Sequence, residues 1–343
     1  MNIQNIWKAG ILTWEDADAL CISVAFTWDL PFARRYADAM RHRRVRIGGP
    51  AVGLAKKKFP GFWLGCHAEI GGHYPGVLQR WNPFATRTSV GCIRMCEFCS
   101  VPSVEGAETL EEFGKRQAEL PDWPDLPVTA DNNLLANSLA HFDRVCDRLE
   151  KHEWSDFNQG TDARLVTEHH AERIARLKRP MVRLALDSMS YVDAWDRALE
   201  RLLRAGVAKR NIRCYCLMAF GTSPGQCWKT CEYVEKNGIK PLPMWFHELN
   251  ALERNIVTER QSALGWNDYE RRRLMQWFYQ HKKAVPQSSA HQARATPANT
   301  RPPITSGESR ALGADGSSDI ATSGGETPGS GPREPAIAST FVA

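Results

Sequence analysis

Residues 181–218, MVRLALDSMSYVDAWDRALERLLRAGVAKRNIRCYCLM, read as a strand, a helix and a second strand in one run. Residues 181–186 and 211–218 are short apolar stretches with the alternation of sheet strands. Between them Trp195, Ala198, Leu199, Leu202 and Leu203 recur at helical spacing, and Gly206 stands where a helix ends in a left-handed residue. Two strands joined by a crossover helix lie parallel in one sheet. Working outward, further strand candidates fall at 87–91, 126–130, 155–159 and 241–246, with helical patterns in most of the gaps. Leu139, Phe142, Val145, Cys146 and Leu149 form one such stripe, and Thr167 is placed to cap a helix carrying Ala171, Ile174 and Leu177. Six strand–helix units joined by right-handed crossovers curl a parallel sheet, yet are too few to close an eight-stranded barrel. The expected core is therefore a partial (β/α)6 TIM-like barrel over residues 86–250.

The flanks read differently. Residues 1–85 offer a strand at 20–27, a helix at 29–40 and a strand at 45–49 that runs into Gly48-Gly49-Pro50, a pattern that predicts a small, degenerate Rossmann-like α/β domain. The two glycines lack the GxGxxG spacing and read as a turn. Residues 251–285 read as a C-terminal helical extension. From 286 to 343 the composition shifts to Ser, Thr, Pro, Gly and Ala with Phe341 as the lone aromatic, so a disordered tail is expected.

Across 343 residues, 43% are hydrophobic and 24% charged, values of an ordinary globular chain. No apolar stretch approaches the roughly 18 residues that a membrane helix needs, and acids interrupt the start, so a cytoplasmic protein is expected. In that compartment the ten cysteines read as thiols, metal ligands or redox groups rather than disulfides. The net charge of +5 does not demand nucleic acid. Arg41 to Arg46 (RHRRVR) and Arg271-Arg272-Arg273 are candidate phosphate-facing patches, against the plainer reading of solvated side chains.

The segment with most chemical content is TSVGCIRMCEFCSVP, residues 88–102, in the loop after the first barrel strand. Cys92, Cys96 and Cys99 are spaced C-x3-C-x2-C, a set that can hold three corners of an iron–sulfur cube and leave one iron open. Structural zinc wants four ligands, and no second pair lies nearby. In parallel α/β folds the carboxyl ends of strands, where this loop falls, carry the chemistry. Cys227, Cys231 and Val234 share one helix face, as packing residues do. Cys214 and Cys216 alternate with Ile212 and Met218, and the side of the sheet they face is open.

The cysteine motif, with Phe98 directly before its last cysteine, resembles that of radical S-adenosylmethionine enzymes. The resemblance spans roughly residues 83–248. It implies that Cys92, Cys96 and Cys99 hold a 4Fe-4S cluster, that S-adenosylmethionine chelates the open iron, and that Phe98 packs near the adenine. It further implies reductive cleavage, hydrogen abstraction from an unidentified substrate, and an external flavodoxin- or ferredoxin-like electron donor. Polar residues at strand ends, Asp131, Gln159, Asp162, Arg164 and Asp187, are the candidates for holding the cofactor, with Asp162 and Arg164 alternatively a structural ion pair. The runs Asp131-Asn-Asn133, Asn158 to Arg164 and Asp187-Ser188 resemble the branch with an N-terminal cobalamin-binding-like domain. The short N-terminal segment and the lack of an Asp-x-His-x-x-Gly sequence, which His67 and His73 do not supply, argue against cobalamin dependence. Two other readings remain open: a methyl or methylthio transferase acting on nucleic acid, and a non-catalytic iron–sulfur or zinc protein that binds nucleic acid.

Overall fold

The computed structural model describes residues 10–71, 76–105 and 116–279. The expected tail and His73 lie outside the described residues. Strand β1 (Ile11–Asp16) and the wholly buried β2 (Ala19–Val24) pair antiparallel; β3 (Arg44–Gly48) and β4 (Glu69–Ile70) extend the sheet in parallel, in the order β1-β2-β3-β4. The helix Leu30–Ala39 crosses from β2 to β3 and packs Leu30, Ala33 and Ala37 against Ile22, Val24, Val45 and Ile47. The expected strand–helix–strand unit is thus present. The hairpin partner β1 was not legible, because its turn is made by Ala17 at φ 49° rather than by the glycine or asparagine that announces such turns.

Gly48-Gly49-Pro50 does more than turn the chain, because it opens the helix Pro50–Lys58. Gly49 sits at φ 101°, and a Cβ there would lie 2.6 Å from the Val24 carbonyl oxygen, so only glycine lets this helix enter against β2. Of the basic run ahead of it, Arg41 bonds the Asp38 carbonyl and the other three arginines pair with carboxylates. Arg43 pairs with Glu15, Arg44 with Asp18 and Glu69, and Arg46 with Asp16 and Glu69. On the C-terminal helix Asp268–Tyr279, Arg271 and Arg272 pair with Asp268 and Arg273 with Glu270.

The second sheet is six-stranded and parallel throughout. Its strands are β5 (Ala85–Thr86), β8 (Val128–Thr129), β9 (Ser155–Thr161), β10 (Pro180–Ala185), β11 (Ile212–Met218) and β12 (Lys240–Trp245), which stand in chain order from one edge to the other. Between β5 and β8 the chain makes a separate antiparallel ribbon of β6 (Ser89–Gly91) and β7 (Gln117–Glu119). The expected first strand at 87–91 is therefore displaced. The sheet strand ends at Thr86, and residues 89–91 leave it, because the buried Asp131 carboxylate takes the amide hydrogens of Thr88 and Ser89 that a further sheet partner would need.

The helices that cover this sheet follow the sequence pattern closely. Ser138 caps Leu139–Leu149, Thr167 forms a capping box with His170 on Glu168–Arg176, and Val192–Arg204 ends ahead of Gly206 at φ 106°. Phe142, Ile174, Trp195 and Leu202 are fully buried in one cluster with Val182, Leu184 and Ile212, each burial contributing about 1.5–3 kcal/mol. Leu139 departs from the expected stripe: as the first helical residue it is 51% exposed. Leu274 and Phe278 of the C-terminal helix join the same cluster, beside Cys227 and Cys231 of the helix Pro224–Lys236. Among the described residues no helix is long and apolar enough to cross a membrane.

Candidate functional site

At the carboxyl ends of the parallel strands lies a cavity of about 300 Å³, at the small end of the range for ligand sites. Its wall is built in part by the cysteine loop, in part by residues in and just after β9 to β12, and in part by Ala25 to Trp28 and the helix Pro50–Lys58. All three motif cysteines line it, and they are the only cysteines to do so among the described residues. Cys21, Cys146, Cys214, Cys216, Cys227 and Cys231 are buried elsewhere.

The cysteine loop is held from several sides. The Cys92 amide donates to the Arg116 carbonyl, the Ile93 amide to Gln117 Oε1, and Arg116 to the Arg94 carbonyl. Below it, Arg87 forks onto Glu105 at 2.8 Å with both partners buried, while Glu105 accepts from the Gly91 amide and from Asn132. Phe98 lies edge-on to Phe220 at 5.4 Å, and Phe220 in turn to Phe246 at 4.9 Å. Ala219, before Phe220, holds a left-handed φ of 63°, a strained conformation for a residue with a Cβ.

Two N–H groups point at Cys92 Sγ: the Arg94 amide at 3.3 Å and Asn133 Nδ2 at 3.8 Å. Burial pushes the Cys99 thiol up to about 12 and raises Cys96 as well, the latter against the pull of Arg164. Without a metal these two thiols therefore stay protonated at neutral pH, and a metal that binds them must displace protons. Three soft donors on one loop, with N–H groups directed at sulfur, fit an iron–sulfur cluster, in which such hydrogen bonds stabilise thiolate charge.

The structure brings Gln159, Asp162, Arg164 and Asp187 to the same cavity. A bulge in β9, where the register against β10 slips between Val182 and Leu184, lays Asn158, Gln159 and Gly160 successively along the wall. Gly160 takes φ 92° and passes 3.3 Å, measured from its would-be Cβ, from the Tyr215 ring. Asp162 accepts from Arg164 Nε at 2.7 Å and from Arg94 Nε at 3.0 Å; burial works to raise its pKa, and the two guanidiniums outweigh burial and hold it low. The structural ion pair named as the alternative is thus made, and Arg94 doubles it. Arg164 also lies over the Tyr191 ring at 4.6 Å. Asp187 is pushed up to about 6, chiefly by burial.

Asp131 is placed differently from the other candidates. It does not line the cavity; its Oδ1 accepts from the amide and hydroxyl of both Thr88 and Ser89 at 2.5–3.1 Å. Its neighbours Asn132 and Asn133 take the wall positions instead. His67, beside the glycine-rich stretch, is outside the cavity and turns Nε2 to the Arg43 carbonyl.

Sequence reading missed the aromatic part of the wall. Phe26 and Trp28 stack at 4.5 Å and 10°, and Trp28 meets His247 at 4.5 Å. His247 Nε2 accepts from the Asn255 amide, and burial lowers the ring to about 4, so it is neutral. The available signal was aromatic density in Phe26-Thr-Trp28, just past β2, and Trp245-Phe-His247, at the end of β12. No protein-family model matches the chain, and no curated protein matches it.

Proposed function

We propose that this chain is a radical S-adenosylmethionine enzyme whose six-stranded parallel sheet serves as a partial (β/α)6 barrel. The observation that carries the reading is that Cys92, Cys96 and Cys99, on one loop, all line the cavity that Gln159, Arg164 and Asp187 also line. The chemistry that a 4Fe-4S cluster supplies when bound is one-electron reduction of the sulfonium of S-adenosylmethionine, from which hydrogen abstraction follows.

The chain's own residues have separable tasks. Cys92, Cys96 and Cys99 are the ligands; the Arg94 amide and Asn133 orient Cys92 by donating to its sulfur. Phe98, wedged on Phe220, keeps the last ligand against the cavity. Gln159, Arg164 and Asp187 are the groups available to the amino-acid and ribose portions of the cofactor, with Asp162 fixing the Arg164 fork. Asp131 holds the loop's origin rather than the cofactor. The reducing electron comes from a flavodoxin- or ferredoxin-like partner. Against the nucleic-acid readings stands the pairing of Arg43, Arg44, Arg46 and Arg271 to Arg273 with carboxylates, which leaves Arg41, bonded to the Asp38 carbonyl, as the arginine of the two runs without a carboxylate partner among the described residues.

The test is anaerobic purification followed by reduction with S-adenosylmethionine. The wild-type chain should be brown and release methionine and 5′-deoxyadenosine, and the Cys92→Ala, Cys96→Ala, Cys99→Ala triple variant should lose colour and cleavage together. Retention of iron by the triple variant, or formation of S-adenosylhomocysteine alone, refutes the reading.

A further inference from the structure

The face of the six-stranded sheet that bears the cavity carries a row of charge further towards the amino ends of its strands. On β11, Tyr215 and Leu217 line the cavity, and the alternation of the strand puts Arg213 on their side. Arg183 on β10 shares its side with the cavity residue Ala185, and Lys240 on β12 shares its side with Met244. The register then sets these cations beside one another: Arg183 stands opposite Arg213, and Arg213 opposite Lys240. Like charges directly across neighbouring strands repel, so the row costs stability unless something answers it.

Only Arg183 is answered from within the protein. It pairs with Asp156 on β9, which is 3% exposed. The charged groups that act on the other two are themselves cations, Arg183 on Arg213 and Arg213 on Lys240, and they reinforce the burial that lowers both pKa values. Arg213 donates from Nη1 to the carbonyls of Arg210 and Ile212, and its Nη2 has no partner among the described residues. Lys240 likewise has no carboxylate partner among the described residues, and both side chains belong to partly exposed residues. Three cations against one carboxylate leave an excess of two positive charges. Neighbouring strands are about 5 Å apart, a separation over which one tetrahedral oxyanion can accept from an arginine and a lysine together. A doubly charged phosphate group matches both the charge and the span, whereas a nucleic-acid backbone needs cations spread over several phosphates.

We propose that Arg213 and Lys240, backed by Arg183, bind a phosphate dianion, either free phosphate or the end group of a phosphate monoester. The site is separate from the cysteine-lined cavity, whose wall includes none of Asp156, Arg183, Arg213 and Lys240. It does not depend on the radical reading.

The full-length chain, in chloride buffer of constant ionic strength at about pH 8, where both phosphate probes are dianions, is titrated calorimetrically with sodium phosphate, glycerol 3-phosphate and, as a singly charged control, sodium acetate. The expected result is binding of both phosphates, with acetate at least about tenfold weaker. Tighter binding of the ester than of phosphate assigns the site to a monoester, and the reverse order assigns it to the free ion. Arg213→Gln and Lys240→Gln should each weaken phosphate binding at least about tenfold, as loss of a hydrogen bond to a charged group does. If Arg213→Gln does not fold, Lys240→Gln carries the test, because Lys240 is partly exposed at the first position of β12. Thermal unfolding supplies a second readout: phosphate should raise the wild-type midpoint and leave that of Lys240→Gln unmoved. In chloride alone the same variant, relieved of one like charge, should melt no lower than wild type. No binding up to about 10 mM phosphate, acetate bound as tightly as phosphate, or undiminished binding in a folded Lys240→Gln chain overturns the proposal.

Discussion

Replacing Asp131 with alanine should destabilise the fold severely although the residue touches no ligand space. Its Oδ1 is the acceptor for four donors, the amides of Thr88 and Ser89 at 2.8 and 2.5 Å and their hydroxyls at 3.1 and 2.8 Å, all in buried surroundings. The Thr88 hydroxyl has a second neighbour in His141 Nε2 at 2.9 Å and the Ser89 hydroxyl can rotate, so the two amides are the groups left unmet. At about 1–3 kcal/mol for each buried donor without a partner, the loss comes to about 2–6 kcal/mol. Asp131→Asn keeps an oxygen in place and forfeits mainly the charge. Burial already opposes that charge and raises the carboxyl's pKa, with Arg87 pulling the other way, so the asparagine variant should lose only about 1–2 kcal/mol. Urea unfolding of the metal-free chain reads both values from the shift in midpoint at constant slope. Because these amides set where the chain leaves the sheet for the cysteine loop, the iron bound per folded chain should fall in the alanine variant and be kept in the asparagine one. A midpoint for Asp131→Ala within experimental error of wild type, or equal damage from both variants, would refute the argument.

Cys227→Ala and Cys231→Ala should each cost about 1 kcal/mol, as small core truncations do, without loss of iron from a reconstituted chain expected to hold about four, and a count near eight that drops to four in the double variant would refute this. Asp187, at about 6 in the folded metal-free chain and ordinary when unfolded, binds its proton more tightly folded. Folding stability should therefore rise as pH falls from above 6 towards 4, by at most about 3 kcal/mol, and Asp187→Asn should flatten this rise; parallel pH curves for the two chains would contradict the burial that raises it. Gly49→Ala forces a Cβ to 2.6 Å from the Val24 carbonyl at a positive φ, so a loss of about 2 kcal/mol or more is expected in thermal unfolding, and a neutral substitution would mean that the helix Pro50–Lys58 sits elsewhere.

Long periodic segments were legible because packing and pattern agree there. Trp195 to Leu202, the Thr167 cap and the Gly206 terminus each occupy the place that their spacing assigned. Short strands at the start of the sheet were less so. Residues 87–91 carry strand-forming side chains, but whether they extend β5 or peel into a ribbon depends on a carboxylate 42 residues away in sequence, at Asp131. The cysteine spacing placed Cys92, Cys96 and Cys99 on one cavity-lining loop, since three residues on one short segment need no tertiary information. The aromatic wall had no such local signature, because Trp28 and His247 are brought together only by the packing of the N-terminal segment beside the end of β12.

The parity of β11 carries a consequence for engineering. Its even positions, Cys214, Cys216 and Met218, are sealed among the covering helices, while Tyr215 and Leu217 on the other side of the same strand form cavity wall. Recognition and scaffold thus occupy alternate letters of one seven-residue word. A library confined to positions 215 and 217 would sample new cavity shapes while leaving the scaffold letters untouched, and selection for altered ligand preference can begin there without first rebuilding the support beneath it.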